Sequence, residues 1–224
     1  MGDIKITNCV YCGKKEARTI DHVVSKCLFP SSYNKKNIIT VPCCFECNKS
    51  FSLDEEYFRN FVCSISSESS KNASILFNTK IVKSIQRRPQ IGWKFFSRMK
   101  LIDMYTKNGI YIDQKTQIFI PDEDQKRYFN VLDKYIKGLF FYEFKKILPK
   151  NFIIDHFFGT KELLNNFKLI KKWNLSNEEI FIYGYNFVPD TYESIWITIF
   201  YRSVFFVSFV FEKERFKNLK NKDC

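Results

Sequence analysis

Residues 9–48 read CVYCGKKEARTIDHVVSKCLFPSSYNKKNIITVPCCFECN, and the cysteine spacing in this stretch indicates a metal-bound module. Two C-x2-C pairs begin and end it, at residues 9–12 and 44–47. Two such pairs supply four thiolates, the ligand set of a tetrahedral zinc site. Residues 13–43 form a longer insert than the roughly 15 to 20 residues usual between zinc-ribbon pairs, so we expect folded structure within it. The predicted zinc ligands are Cys9, Cys12, Cys44 and Cys47.

The other cysteines lack this pairing. Cys43 adjoins Cys44 and is an alternative ligand, but only Cys44 stands two residues from Cys47. Cys27, Cys63 and Cys224 are predicted to be free thiols. No apolar stretch follows the first residues, so no secretory signal is visible, and we expect a cytoplasmic, reducing setting without disulfides.

The insert carries a carboxylate, an imidazole and two candidate strands. ARTIDHVV at 17–24 alternates like a strand that bears Asp21 and His22, and NIITVP at 37–42 is a β-branched run that Pro42 ends. Asn48 directly follows the last predicted zinc ligand. A zinc site that only staples a small domain remains an alternative, although a staple requires neither the Asp-His dipeptide nor this asparagine.

Beyond the second cysteine pair, the patterns predict an α+β chain with antiparallel strands. We expect a helix over 53–63, a polar linker at 64–72 and a second helix that begins near Ala73 and ends before Pro89. A hairpin over 109–121, a helix over 122–141 and a strand at 151–158 follow. The last predicted elements are a helix over 161–173 and three strands over 179–211 with a turn at Arg202 and Ser203. Asp155 and His156 lie in an apolar run and are predicted to be structural. The predicted organisation is a zinc module at 1–64, a helical linker region at 65–108 and an α+β domain at 109–224.

A surplus of positive charge favours an anionic partner. The chain holds 36 Lys and Arg against 24 Asp and Glu, a net charge of +12, which suits nucleic acid but also fits ordinary solvated surfaces. Arg18, Arg87 and Arg88 are candidate phosphate contacts. The apolar segment 195–211 is too short to span a bilayer and contains Arg202, so no membrane contact is predicted.

The order of these motifs resembles the HNH endonuclease superfamily in its four-cysteine form. The resemblance covers residues 9 to about 60, through the two cysteine pairs, TIDHVV, NIITVP and the asparagine after the last cysteine. The strings DHVVSKCLFP, ITVPCCFECNKSF and DEEYFRNF are similar to bacterial and phage proteins known only as HNH endonucleases. The family's active site is a ββα-metal unit, which is the fold that the resemblance implies for this stretch.

The resemblance also implies a role for each matching residue. His22 matches the general base, while Asp21 and Asn48 match the ligands of one catalytic Mg2+ or Mn2+ ion. Asn37 matches the asparagine that holds the base in position, with Asn34 as a weaker candidate. Zinc would be structural. The chain departs from the usual pattern at Ser25, where the family often has proline, and at Asn48, where the usual residue is histidine.

The expected function is therefore hydrolysis of phosphodiester bonds in DNA, leaving 5′-phosphate and 3′-hydroxyl ends. RNA is also a possible substrate. The alternative is a zinc-dependent nucleic-acid-binding or adaptor protein that does not cut. A protein partner or a homodimer is compatible with either function.

Overall fold

The computed structural model describes residues 8–34, 38–160, 170, 172–177 and 179–215. The chain is a mixed α+β protein with antiparallel sheets and a four-cysteine cluster near its amino terminus, as the sequence predicts. Asn37 lies outside the described residues, so its predicted role stays a prediction.

The amino-terminal part is a short hairpin followed by two helices. Strands β1 (Thr19–His22) and β2 (Thr40–Cys43) pair antiparallel, with His22 opposite Thr40. Pro42 was expected to end the second strand, but it lies inside β2 opposite Ile20. A proline is tolerated there because β2 is an edge strand of a two-stranded sheet.

Helices α1 (Phe45–Ser50) and α2 (Ser52–Ser66) follow the hairpin. The helix predicted over 53–63 is confirmed, and it runs three residues into the expected polar linker. The next predicted helix consists of α3 (Lys71–Leu76), a π-helical turn (Phe77–Ile81) and α4 (Val82–Arg87), and Pro89 then opens α5 (Pro89–Phe96).

The predicted hairpin over 109–121 is wrong in its pairing. Strand β4 (Tyr111–Ile118) pairs with an upstream strand, β3 (Met99–Tyr105), so the alternating residues form one strand and not two. The chain reverses before the alternation begins, where Gly109 adopts a φ of 80° and donates its N–H to the Thr106 carbonyl. Strand β3 also lies within the region 65–108 that was expected to be helical.

The carboxy-terminal part packs one long helix against a five-stranded sheet. Helix α6 (Asp122–Phe144) confirms the predicted helix and extends it by one turn. The strands are antiparallel in the order β5-β9-β8-β7-β6. Their bounds are β5 (Phe152–Gly159), β6 (Lys172–Asn177), β7 (Phe181–Phe187), β8 (Ser194–Phe200) and β9 (Val204–Glu212).

The strand predictions in this part are confirmed, including the turn between β8 and β9, where Tyr201 and Arg202 have positive φ. The helix predicted over 161–173 falls mostly on residues 161–169 and 171, which lie outside the described residues. Its last two residues belong to β6, because Trp173 pairs with Gly184 of β7.

A single hydrophobic cluster includes residues from the amino-terminal hairpin, α2, α6 and the large sheet, among them Val23, Phe58, Tyr135 and Phe206. Gly138 permits the close packing of α6 on the hairpin, because a Cβ at that position would lie 2.7 Å from the Val23 Cγ2 atom. Helix α6 therefore packs directly on the segment that follows β1. The predicted domain boundaries at residues 64 and 108 stay a prediction.

Candidate metal centre and the adjoining Asp21–His22 strand

The four predicted zinc ligands converge. The Sγ atoms of Cys9, Cys12, Cys44 and Cys47 all lie within 4.8 Å of one another. The first pair lies on a tight turn closed by a hydrogen bond from the Gly13 N–H to the Cys9 carbonyl, and Gly13 has the positive φ that such a turn requires. Zinc–sulfur bonds of about 2.3 Å place tetrahedral sulfurs about 3.8 Å apart, so the cluster is compatible with zinc.

The choice between Cys43 and Cys44 follows from the hairpin geometry. Cys43 is the last residue of β2 and its Sγ lies 3.1 Å from the Thr19 Oγ1 atom, outside the four-sulfur cluster. Cys44 caps the amino terminus of α1, where its Sγ accepts the N–H of Cys47. Cys44 is therefore the residue within the cluster, as the spacing predicts.

Asp21 is held by a buried ion pair that the sequence analysis missed. Its Oδ2 atom lies 2.6 Å from the Lys134 Nζ atom of α6 and accepts a hydrogen bond from the Tyr11 hydroxyl at 3.0 Å. The Lys134 ammonium also contacts the Glu55 carboxylate, and the Lys134 side chain is only 1% exposed. One buried ammonium thus faces two carboxylates.

The remaining Asp21 oxygen and the Tyr11 hydroxyl are fixed in the same cluster. Asp21 Oδ1 accepts the backbone N–H of His22 at 2.8 Å. Burial, together with the Asp21 charge, raises the pKa of Tyr11 well above its usual range, so Tyr11 remains a neutral hydrogen-bond donor. The cluster therefore fixes the strand on which His22 stands.

Asn48 is brought to the same strand. It lies on α1, and its Nδ2 atom donates to the Thr19 Oγ1 atom at 3.2 Å. Thr19 and Asp21 are two residues apart and share one face of β1. His22 is the half-buried last residue of β1, opposite Thr40. Asn48 on α1 therefore contacts β1, the strand that bears Asp21 and His22, through Thr19.

The two predicted basic sites differ in their surroundings. Arg18 is exposed and its guanidinium forms an ion pair with Glu16 at 2.9 Å. Arg87 and Arg88 are exposed and line a polar cavity that also contains Lys80 and Lys83. These two lysines were not predicted as site residues, although they lie at helical spacing from Arg87.

The second Asp-His dipeptide is structural, as predicted. His156 on β5 is buried, with its Nδ1 atom 2.8 Å from the Ser208 Oγ atom and its Nε2 atom 3.0 Å from the Asp133 Oδ1 atom. A hydrolytic serine needs access to a substrate, but Ser208 is fully buried in β9. The three side chains therefore join β5, β9 and α6 within the fold.

Comparisons with protein-family models, curated proteins and solved structures find no match to this chain. Among the residues that the structure describes, no helix combines the length and the apolar character needed to cross a membrane.

Proposed function

We propose that the chain is a metal-dependent endonuclease of the HNH type that hydrolyses phosphodiester bonds in DNA. The observation that carries the proposal is the hydrogen bond from Asn48 to Thr19. It ties the residue after the last cysteine to the strand that bears Asp21 and His22, which supports a ββα-metal arrangement of the hairpin and α1. The four-cysteine cluster joins the first turn of α1 to Cys9 and Cys12 and supports the same unit.

The proposed roles follow from the chemistry of the side chains. His22 would accept a proton from the attacking water, which neutral imidazole does well near pH 7. Asp21 and Asn48 offer the carboxylate and amide oxygens that a hard divalent ion such as Mg2+ or Mn2+ prefers. The ion would neutralise charge on the scissile phosphate and the departing oxygen. Zinc, held by four thiolates, would be structural.

The Lys134 ammonium affects this chemistry directly. It already neutralises part of the Asp21 charge, at 2.6 Å from the Oδ2 atom. A divalent ion at Asp21 would therefore bind more weakly than at an unpaired carboxylate, since the two cations repel each other. We accordingly propose that activity requires a high concentration of Mg2+ or Mn2+.

The same ion pair favours a second candidate function. Lys134 offsets part of the charge of Asp21 and Glu55 without any metal ion, so the cluster is also what a protein that binds nucleic acid without cutting it would retain. The second candidate is therefore a zinc-dependent nucleic-acid-binding or adaptor protein.

Incubation of the zinc-loaded protein with supercoiled plasmid and Mg2+ or Mn2+ tests the two candidates. A nuclease converts the plasmid to nicked or linear forms, and His22→Ala abolishes this while zinc content and folding are retained. Thr40→Ala is the matched control, because Thr40 lies opposite His22 and has no titratable group. Cleavage that persists in His22→Ala overturns the mechanism, and DNA binding without cleavage in either metal supports the adaptor. A parallel incubation with RNA identifies the substrate.

A further inference from the structure

The positive charge of the chain is concentrated in one segment. Residues 69–102 contain eight cationic side chains and no Asp or Glu. This segment comprises α3, the π-helical turn, α4, α5 and the beginning of β3. The segment has no acidic side chain of its own to offset these charges, although Arg98 is paired with Glu123 and Asp124 of α6.

Part of this segment lines a continuous basic groove. Two cavities of about 580 and 480 Å³ adjoin and share Arg59, Thr79, Lys80 and Lys83. The cationic side chains of the groove are Lys26, Arg59, Lys80, Lys83, Arg87 and Arg88. Lys80, Lys83 and Arg87 are spaced at three and four residues, so they project from one side of the helix.

Most of these cations are available to a ligand. Arg59 is paired with Glu56 at 3.1 Å and its side chain is largely buried. By contrast, Lys80, Lys83, Arg87 and Arg88 are exposed and form no ion pair with an acidic side chain among the described residues. Four uncompensated cations along one groove can neutralise successive phosphates of a nucleic-acid backbone.

The groove lies next to the proposed catalytic strand. Its far end is lined by Lys26, Pro30 and Ser31, and Lys26 follows His22 by only four residues. Four residues span at most about 14 Å. A phosphate backbone in the groove would therefore pass close to the end of β1.

An apolar cavity opens beside the basic groove. It has a volume of about 380 Å³ and shares Glu56, Ser84 and Arg88 with the groove. Its aromatic lining consists of Tyr57, Phe61, Phe77, Phe96 and Tyr128. Arg127 also lines the cavity, with its guanidinium 4.0 Å from the centre of the Tyr57 ring. The basic groove suits the phosphate of a nucleotide, and the adjoining aromatic cavity suits the base of the same nucleotide.

We infer that this groove binds the phosphate backbone of single-stranded DNA and that the adjoining aromatic cavity receives one unpaired base. The inference rests on the proposed function, since it specifies the DNA that the site acts on. The bases of an intact duplex are stacked inward and cannot enter a side cavity without unpairing. A single strand can place its phosphates in the basic groove and one base in the aromatic cavity at the same time.

Binding of a fluorescein-labelled oligo(dT) of about 20 nucleotides, followed by anisotropy over a range of salt concentrations, tests the groove. The variant Lys80→Gln/Lys83→Gln/Arg87→Gln should bind at least about tenfold more weakly, and the slope of log affinity against log salt should fall by about two, since each phosphate contact on a single strand contributes about 0.7. The control Lys107→Gln/Lys115→Gln/Lys150→Gln removes the same charge from exposed positions elsewhere. Equal loss in the two variants overturns the inference.

The cavity is tested with an oligonucleotide of the same length and charge that lacks its bases. The unmodified protein should prefer oligo(dT) by about fivefold or more, because contact between a base and aromatic rings contributes that much. Ser84→Trp fills the cavity and should remove this preference, whereas Gln86→Trp, at an exposed position of the same helix, should keep it. Equal affinity of the unmodified protein for both oligonucleotides overturns the base-binding part.

These measurements contain no added divalent ion and do not depend on cleavage. If the plasmid stays intact but the groove variants lose affinity, the nuclease proposal fails and the DNA groove stands. If cleavage occurs but the groove and control variants bind alike, the nuclease stands and the groove assignment is wrong.

Discussion

The Lys134 ammonium of α6 lies 2.6 Å from the Asp21 carboxylate of β1, and the lysine side chain is almost completely buried. Glu55 of α2 completes the cluster. Three elements distant in the sequence thus share one charged contact beneath the candidate site. A buried ion pair adds little net stability over an apolar pair, but the loss of one partner leaves the other charge buried and unpaired.

We therefore expect Lys134→Met to lower the free energy of unfolding by about 3 to 5 kcal/mol, because Asp21 and Glu55 would lose their common counterion. Urea denaturation measures the change. Lys137→Met is the matched control, since Lys137 lies on the same helix and makes a partly exposed ion pair with Asp133. The control should lose about 1 kcal/mol or less. An equal loss of unfolding free energy in Lys134→Met and Lys137→Met would show that the buried ion pair is no more sensitive to the loss of its lysine than the exposed one.

Zinc binding distinguishes the two adjacent cysteines. Cys44→Ser removes one sulfur of the four-cysteine cluster, so we expect it to lose bound zinc and the folding energy that the metal supplies. Cys43→Ser removes a sulfur outside the cluster and should retain the full zinc content. Metal analysis of both purified proteins measures this. Zinc loss from Cys43→Ser with retention in Cys44→Ser would reverse the assignment.

Cys63, which is buried in the core, and Cys27, which is partly buried, should resist alkylation. Burial raises the pKa of the Cys27 thiol to about 12 and that of the Cys63 thiol to about 12. Because the thiolate is the reactive form, at pH 8 only on the order of one in ten thousand of either thiol is reactive. Reaction with iodoacetamide, followed by peptide mass spectrometry, should label them in urea but not in the folded protein. Rapid labelling of either residue at pH 8 in the folded state contradicts this burial.

Because α6 packs closely on the hairpin, replacement of Gly138 by alanine should lower the free energy of unfolding, the opposite of the usual effect in a helix. Replacement of glycine by alanine within a helix normally stabilises by about 1 kcal/mol. At Gly138 we expect a loss of about 1 to 3 kcal/mol, because the new Cβ would lie 2.7 Å from the Val23 Cγ2 atom.

The double variant Gly138→Ala/Val23→Ala provides the control. Removal of the Val23 methyl groups makes room for the new Cβ, so the two changes should cost less together than the sum of the single changes. Thermal or urea unfolding of the four proteins measures the coupling. Additive effects would indicate that the helix and the hairpin are not in tight contact.

Local patterns predicted the local parts of the structure well. The cysteine spacing identified the four sulfurs that converge. Hydrophobic periodicity identified α2, α6 and four strands of the large sheet, but it missed β6. The position of Pro42 inside β2 and the pairing of β4 with β3 were missed, because both depend on where the partner strand lies.

The charged cluster of Asp21, Glu55 and Lys134 could not be predicted from local sequence patterns, because Lys134 contacts Asp21 only through the packing of α6 on the hairpin. One signal was present. Lys134 lies between Val131 and Gly138 on the buried side of α6, and a lysine within an apolar stripe of a helix requires a buried partner. The identity of that partner is set by tertiary structure alone.

The order in which the chain emerges during synthesis gives this cluster a further consequence. Domains generally form amino-terminal first as the ribosome elongates the chain. The hairpin with Asp21 and the helix with Glu55 leave the ribosome well before Lys134 is made. Until the lysine is made, burial of the two carboxylates would leave them without their counterion, so the final packing of this cluster becomes favourable only when α6 docks.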